Sequence, residues 1–188
     1  QEWATDNTWT NFNVWDAPNS IGVDNATPID WNIVEISHDI FSGDKDITVL
    51  GLISDTANKE LEIRDPSTPN NQTNDGQMLR VTHYLELDGN IKLVGQSQLL
   101  QDFGGVLATT SAGSLERHQQ GTLNENNYNY LSAPVGTLNT SSNNVAYTVP
   151  SVLRDGTNAN NISTITFNDG AIDPSGTAGN LTMAGYWL

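Results

Sequence analysis

Catalysis in this chain would have to come from three histidines, 22 carboxylates and hydroxyl groups, because it contains no cysteine. That absence removes cysteine nucleophiles, thiolate zinc sites and disulfide scaffolds together. His38, His83 and His118 show no two-histidine metal spacing of the H-E-x-x-H kind. His83 lies in the run Thr82-His83-Tyr84 and reads as an outward, solvated side chain. His118, between Arg117 and Gln119, reads as part of a polar ladder rather than as a general base. There is no G-x-S-x-G elbow, and Gly104-Gly105 lacks the Lys-Ser/Thr that a phosphate loop needs. Asp44/Asp46 and Glu60/Glu62 are pairs of the type a glycosidase uses. Such an enzyme holds its two carboxyls at a fixed separation across a cleft, one with a raised pKa, and 22 acids generate close pairs freely. A lyase acting on a uronate would need basic residues, and the chain has only seven: Arg64, Arg80, Arg117, Arg154 and three lysines. The chain therefore reads as non-enzymatic, with no cofactor.

Two binding chemistries remain. Calcium takes six to eight oxygens, which loop Asp, Asn and carbonyl groups supply. The candidates are Asp44 with Asp46, Asp155 with Asn158 and Asn160, and Asp169 with Asp173. None fits the EF-hand spacing or the nonapeptide repeat, and each reads more simply as a solvated turn acid. Trp3, Trp9 and Trp15 recur every six residues, an even interval that keeps them on one face of an extended chain. They would either cap the end of a β core or form a sugar-stacking platform, and burial of large aromatics favours the cap.

The elements that would hold these groups follow from composition. Asn, Thr and Ser number 23, 20 and 14, and 16 Gly add to a chain rich in turn formers. Helix-rich domains use Ala, Glu, Lys and Leu instead, so the expectation is all-β. With 22 acidic and 7 basic residues the net charge is −15. Such a chain repels phosphate backbones and anionic bilayers, so nucleic-acid binding is not expected. No apolar run reaches the roughly 20 residues of a membrane helix, and membrane insertion is not expected.

Residues 1–32 read as a Trp-rich N-terminal cap. From 33 to 101 short alternating runs recur: Ile47/Val49, Leu61/Ile63, Leu79/Val81, Leu85/Leu87 and Ile91/Leu93, each flanking a polar residue. This is the mark of strands with one buried face. Asp65-Pro66, Asp75-Gly76, Asp88-Gly89-Asn90 and Gly95-Gln96 are the turns between them. A meander of hairpins and a stacked parallel solenoid both fit. The very short strands and the steps Leu85, Ile91, Ser97 favour an irregular parallel β-helix over about 30–120, within a segment 33–135. Val145–Val149, Ile162–Phe167 and 181–188 read as strands of a β-sandwich-like segment, 136–188. The apolar ending Tyr186-Trp187-Leu188 suggests that the native chain continues, and Gln1 reads as either a mature N-terminus or an internal cut.

One stretch is more specific. Leu87–Gln101 contains Gly95-Gln96-Ser97-Gln98-Leu99-Leu100-Gln101. It is followed by Gly113-Ser114-Leu115-Glu116-Arg117-His118-Gln119-Gln120-Gly121, then Tyr128-Asn129-Tyr130-Leu131-Ser132-Ala133-Pro134-Val135-Gly136, then Val152-Leu153-Arg154-Asp155-Gly156-Thr157. In this order these segments resemble the motifs G-x-S-Q-L-x-Q, G-x-L-x-R-x-Q-Q-G, Y-N-Y-W-S-x-P-V-G and V-L-x-D-G-T of a family of Bacteroidota surface proteins. Leu131 stands where that family has Trp. The resemblance implies export by the type IX secretion system and an extracellular or outer-surface location. It also implies a structural or adhesin role linked to gliding motility or attachment, and a C-terminal sorting domain beyond Leu188. Its implied partners are the secretion machinery and extracellular glycans or surfaces; separately, the apolar end Tyr186-Trp187-Leu188 would meet a further copy of the chain in a filament. Asp55-Thr56-Ala57 resembles the O-glycosylation acceptor of the same bacteria, which would make Thr56 the glycan carrier and the chain a glycoprotein. The second functional expectation is a carbohydrate-binding or polysaccharide-degrading module using Trp3, Trp9 and Trp15, and the third an extracellular filament subunit.

Overall fold

The computed structural model describes residues 1–3, 33–119, 145–156 and 162–168 in full, and only the backbone at 20–21, 28–29, 137–139, 142–144 and 182–183. The chain divides into two compact units, one of residues 1–130 with 138–143 and one of 131–137 with 144–188.

In the first unit, β1 (Ser20–Ile21) and β2 (Pro28–Ile29) form an antiparallel pair. There follow β3 (Ile33–Ile36), β4 (Ile40–Phe41), β5 (Ile47–Ser54), β6 (Glu60–Ile63), β7 (Met78–Leu87), β8 (Asn90–Leu93), β9 (Gln98–Gln101), β10 (Val106–Leu107) and β11 (Ser114–Arg117). From β3 to β8 successive strands alternate between two sheets. One has the order β10-β7-β5-β3 with β9 also on β7, the other β11-β8-β6-β4. Every pairing within these two sheets is parallel. The all-β class and parallel pairing agree with expectation; the hairpin alternative does not survive. Asp88-Gly89 shows why: it turns the chain from β7 in one sheet to β8 in the other.

Alternation dictates the packing. Burial runs exposed–buried–exposed–buried along β3, and half-buried alternates with buried along β6 and β8. Parallel register stacks the inward residues into rows. Ile47, Leu79 and Leu99 form one. Val34, Leu52, Leu85 and Leu107 form a second, and Ile40, Leu61, Ile91 and Leu115 a third. The central members are fully buried, whereas Leu99, Leu107 and Leu115 are partly buried. Each fully buried aliphatic contributes about 1.5–3 kcal/mol.

Leu79/Val81 and Leu85/Leu87, which periodicity reads as two strands, belong to the single ten-residue β7. Its register against β5 slips between Val49/Val81 and Gly51/Tyr84, so β5 spends two residues where β7 spends three. This bulge leaves His83 exposed although it falls between the inward Val81 and Leu85. β9 pairs the first half of β7 and β10 the second, with 102–105 turning between them.

Residues 137–139 (β12) and Ser142–Val145 (β13) pair with each other. In the second unit, the expected strand Val145–Val149 is corrected. β13 stops at Val145, and Val149–Val152 (α1) is one helical turn. Pro150 in that first turn and the reciprocal hydrogen bonds of Thr148 and Ser151 nucleate it. β14 (Arg154–Asp155) and β15 (Ser163–Thr164) pair antiparallel, while β16 (Thr166–Phe167) and β17 (Thr182–Met183) pair parallel. The facing sheets of a sandwich are not seen among the described residues.

Candidate functional site

The densest collection of ionisable groups lies on the outer face of the β4–β6–β8–β11 sheet. Outward positions alternate with the inward rows, so Phe41, Glu62, Lys92 and Glu116 stack in register across four strands. Lys92 Nζ is 3.4 Å from Glu62 Oε2 and 4.0 Å from Glu60 Oε1. Arg64 Nε is 2.6 Å from Glu62 Oε1, and its guanidinium carbon sits 4.9 Å from the centre of the Phe41 ring. Lys59 and Asp39 form a looser pair at 3.8 Å. Burial raises the Glu60 carboxyl above the usual range, with Lys92 opposing and Glu62, Glu116 and Asp39 adding repulsion. Burial likewise lowers His118, helped by Lys92. Its backbone N–H donates to the Leu93 carbonyl at 3.2 Å.

The two carboxylates read from sequence as a pair, Glu60 and Glu62, thus share one ammonium, and Glu62 also holds a guanidinium. Glu62 is thereby committed to two cations, while burial raises Glu60 beside it. This face is a network of half-screened ion pairs, suited to aligning adjacent strands.

The first sheet has its own outward contacts. Arg80 binds Asp102 through two bonds, Nε–Oδ1 at 2.9 Å and Nη2–Oδ2 at 2.7 Å, which lowers the Asp102 carboxyl. Tyr84 Oη donates to Glu86 Oε2 at 2.9 Å. Glu35 is raised by its hydrogen bond and repulsion with Asp55.

The expected ligand residues are placed as follows. Trp3 is 4% exposed, packed in the core, and its backbone N–H donates to the Phe41 carbonyl at 2.8 Å. A sugar-stacking role for Trp3 is corrected on this ground, since a ring sealed on both faces cannot stack. Trp9 and Trp15 lie outside the described residues, as do Asn158, Asn160, Asp169 and Asp173. Asp44 and Asp46 are exposed, and Asp46 Oδ1 accepts from the Met78 N–H at 2.8 Å, tying one corner to the next strand layer. Asp155 is half-buried in β14. Among the described residues no three His, Asp or Glu side chains converge as metal ligands do. Thr56 sits at the β5–β6 corner, half-buried, its hydroxyl donating to Asp55 Oδ1 at 2.8 Å.

Within the motif segments, Ser97 and Gly95 do packing work, while Gln98, Leu100, Gln101, Ser114 and Arg117 are exposed. Ser97 is fully buried; its hydroxyl donates to the Ile63 carbonyl at 2.8 Å and accepts the Gln77 N–H at 3.1 Å. Gly95 has φ +57°, and a Cβ there would run into the Asn74 backbone. Sequence reasoning passed over Asn74 itself, fully buried at the next corner. One more Asn among 23 carries no local signal of burial.

No protein family, curated protein or solved structure matches this chain. The resemblance over residues 87–157 is carried by its motifs alone.

Proposed function

We propose that residues 33–119 are an irregular parallel β-solenoid and that the chain is a non-enzymatic scaffold of a secreted surface protein. In this reading it is exported by the type IX secretion machinery and serves attachment or gliding outside the cell. The observation that carries the reading is the stacking of aliphatic rows through parallel strands that alternate between two sheets. Such packing lets each layer rest on its neighbours and yields a stiff body whose corners are free to vary. Its outer faces spend their charges on ion pairs between layers, as Lys92 with Glu60 and Glu62, and Arg80 with Asp102, illustrate. A net charge of −15 keeps the particle solvated and away from anionic surfaces.

Thr56 is the O-glycan acceptor in this scheme. Its hydroxyl donates to the neighbouring carboxylate of Asp55, which holds it at the β5–β6 corner. Intact mass of the native protein, compared with a Thr56→Ala variant, reads that modification directly. The export claim is tested on intact cells of the encoding organism with a membrane-impermeant label. Labelling of the chain in wild-type cells, and its loss when the type IX translocon is deleted, is the expected result. Labelling only after lysis, or labelling independent of the translocon, overturns the reading.

A further inference from the structure

The inward rows of the stack end unevenly. Their central members are buried, whereas the last ones, Leu99, Leu107 and Leu115, keep part of their surface. Among the described residues of the first unit, the exposed large apolar side chains stand only at the two ends of the layers. They are Ile33 on β3, and Leu100, Phe103 and Val106 on β9, β10 and the turn between them. At the β4 end of the other sheet the edge is already taken. Glu2 bridges Phe41 in parallel, the Phe41 N–H donates to the Gln1 carbonyl at 2.8 Å, and Trp3 is buried beside it. The far edge of β11, at the opposite end of that sheet, carries no described strand.

That edge is set for one more strand. The Ser114 and His118 N–H groups donate toward β8, to the carbonyls of Gly89 and Leu93 at 3.1 and 3.2 Å. In a parallel ladder alternate residues bond to opposite sides, so Leu115 and Arg117 turn their N–H and C=O groups to the open side. A row of such groups is a template for pairing. The chain itself holds a strand at the right distance. The row members on this sheet stand at 40, 61, 91 and 115, in steps of 21, 30 and 24 residues. Leu138 of β12 lies 23 residues beyond Leu115, and Leu138–Asn143 belongs to the first unit. With Leu138 in the row, Asn139 falls beside Glu116 and continues the outward column without setting a second acid against it.

We propose that β12 docks in parallel on the open edge of β11, with Leu138 beside Leu115, and closes the stack as its terminal strand. Two arguments favour this segment over a second copy of the chain. The tether from Arg117 to Leu138 makes the encounter intramolecular. A second copy must instead bring another net charge of −15 against the first. β12 keeps β13 on its other edge. The result is a blunted end, in which an edge that would recruit further copies is spent within the chain. The proposal rests on the stacked-layer reading above, and its test separates the two.

The chain contains no cysteine, so engineered pairs report without background. Glu116→Cys/Asn139→Cys probes the proposed register. Asn90→Cys/Ser114→Cys probes the β8–β11 register, and Glu116→Cys/Asn143→Cys a position on β13. Adjacent strands lie about 4.8 Å apart, inside the Cα span of a disulfide. The full chains are oxidised with diamide, which takes up the two electrons and two protons of each thiol pair, and are read by non-reducing gel and intact mass. The 116/139 pair should close within one chain, as the 90/114 pair does, and about tenfold faster than the 116/143 pair. If 90/114 closes and 116/139 does not, the docking is overturned and the stacked layers stand; closure of neither removes both. Bonds between chains at 116/139 would mark a second copy on the edge and overturn the proposal, as would equal closure at 139 and 143.

Discussion

Asn74 is the residue whose loss the fold should feel most locally. Its side chain satisfies three carbonyls and two N–H groups with no exposed surface. Replacing it by Ala removes the acceptor of the half-buried Asp65 and Gly76 N–H groups, at up to about 1–3 kcal/mol for each. Asn74→Ala should therefore lower the melting temperature by several degrees, read by thermal denaturation, and open residues 64–77 to proteolysis. Two glycines make a matched comparison. Gly95 has φ +57° and a Cβ would strike Asn74, whereas Gly104 has φ +87° with nothing within 4 Å. Gly104→Ala should cost only the left-handed backbone penalty, about 1 kcal/mol. Gly95→Ala should cost clearly more, and equal unfolding midpoints for the two would contradict the packing at this corner.

Strand rows and ladders carry the next effects. Ile91 is the fully buried centre of the Ile40–Leu61–Ile91–Leu115 row, so Ile91→Ala should destabilise by about 2–5 kcal/mol in denaturant unfolding. The pH response separates into opposite signs. Asp102 is lowered by Arg80, so its contribution is present above the unfolded carboxyl pKa and lost as pH falls through the folded value. His118 is lowered by burial, so the unfolded chain binds its proton first and stability falls on acidification from the ordinary histidine range downward. Glu60 is raised by burial; its contribution is present at acid pH and is lost as pH rises through the raised folded value. Melting temperature against pH should accordingly show a weaker acid limb in Asp102→Asn and in His118→Gln, and a gain at neutral pH in Glu60→Gln. Because the Arg80–Asp102 pair is partly solvated, its share stays at or below about 1 kcal/mol.

At the scale of the whole molecule, an excess of 15 negative charges sets repulsion against a modest set of exposed ion pairs. Salt screens both, and the repulsion involves many more groups. Melting temperature should rise between about 0.01 and 0.5 M sodium chloride. A fall would mean that the Lys92 and Arg80 pairs outweigh the net charge.

The all-β class, the inward and outward faces of β3, β6 and β8, and most of the turns were legible in the sequence. Period-two burial and Asp-Gly or Asp-Pro turns are local properties, written in neighbouring residues. The direction of pairing was legible only as a preference for parallel stacking drawn from the short strands, because a strand with one buried face looks the same in a hairpin and in a stacked layer. It was decided by partners that stand at positions 40, 61, 91 and 115, steps of 21, 30 and 24 residues. The same distance in sequence hid the candidate site: Glu60/Glu62 were visible as a pair, but Lys92 comes between them only once those layers stack. Val145–Val149 misled because its β-branched composition outweighed, on paper, the Thr148–Pro150–Ser151 helix start that the folded backbone uses. Composition and alternation by themselves thus determined what must be inside. Only the tertiary structure decided which residues meet, because long-range register, unlike burial pattern, has no local sequence cause.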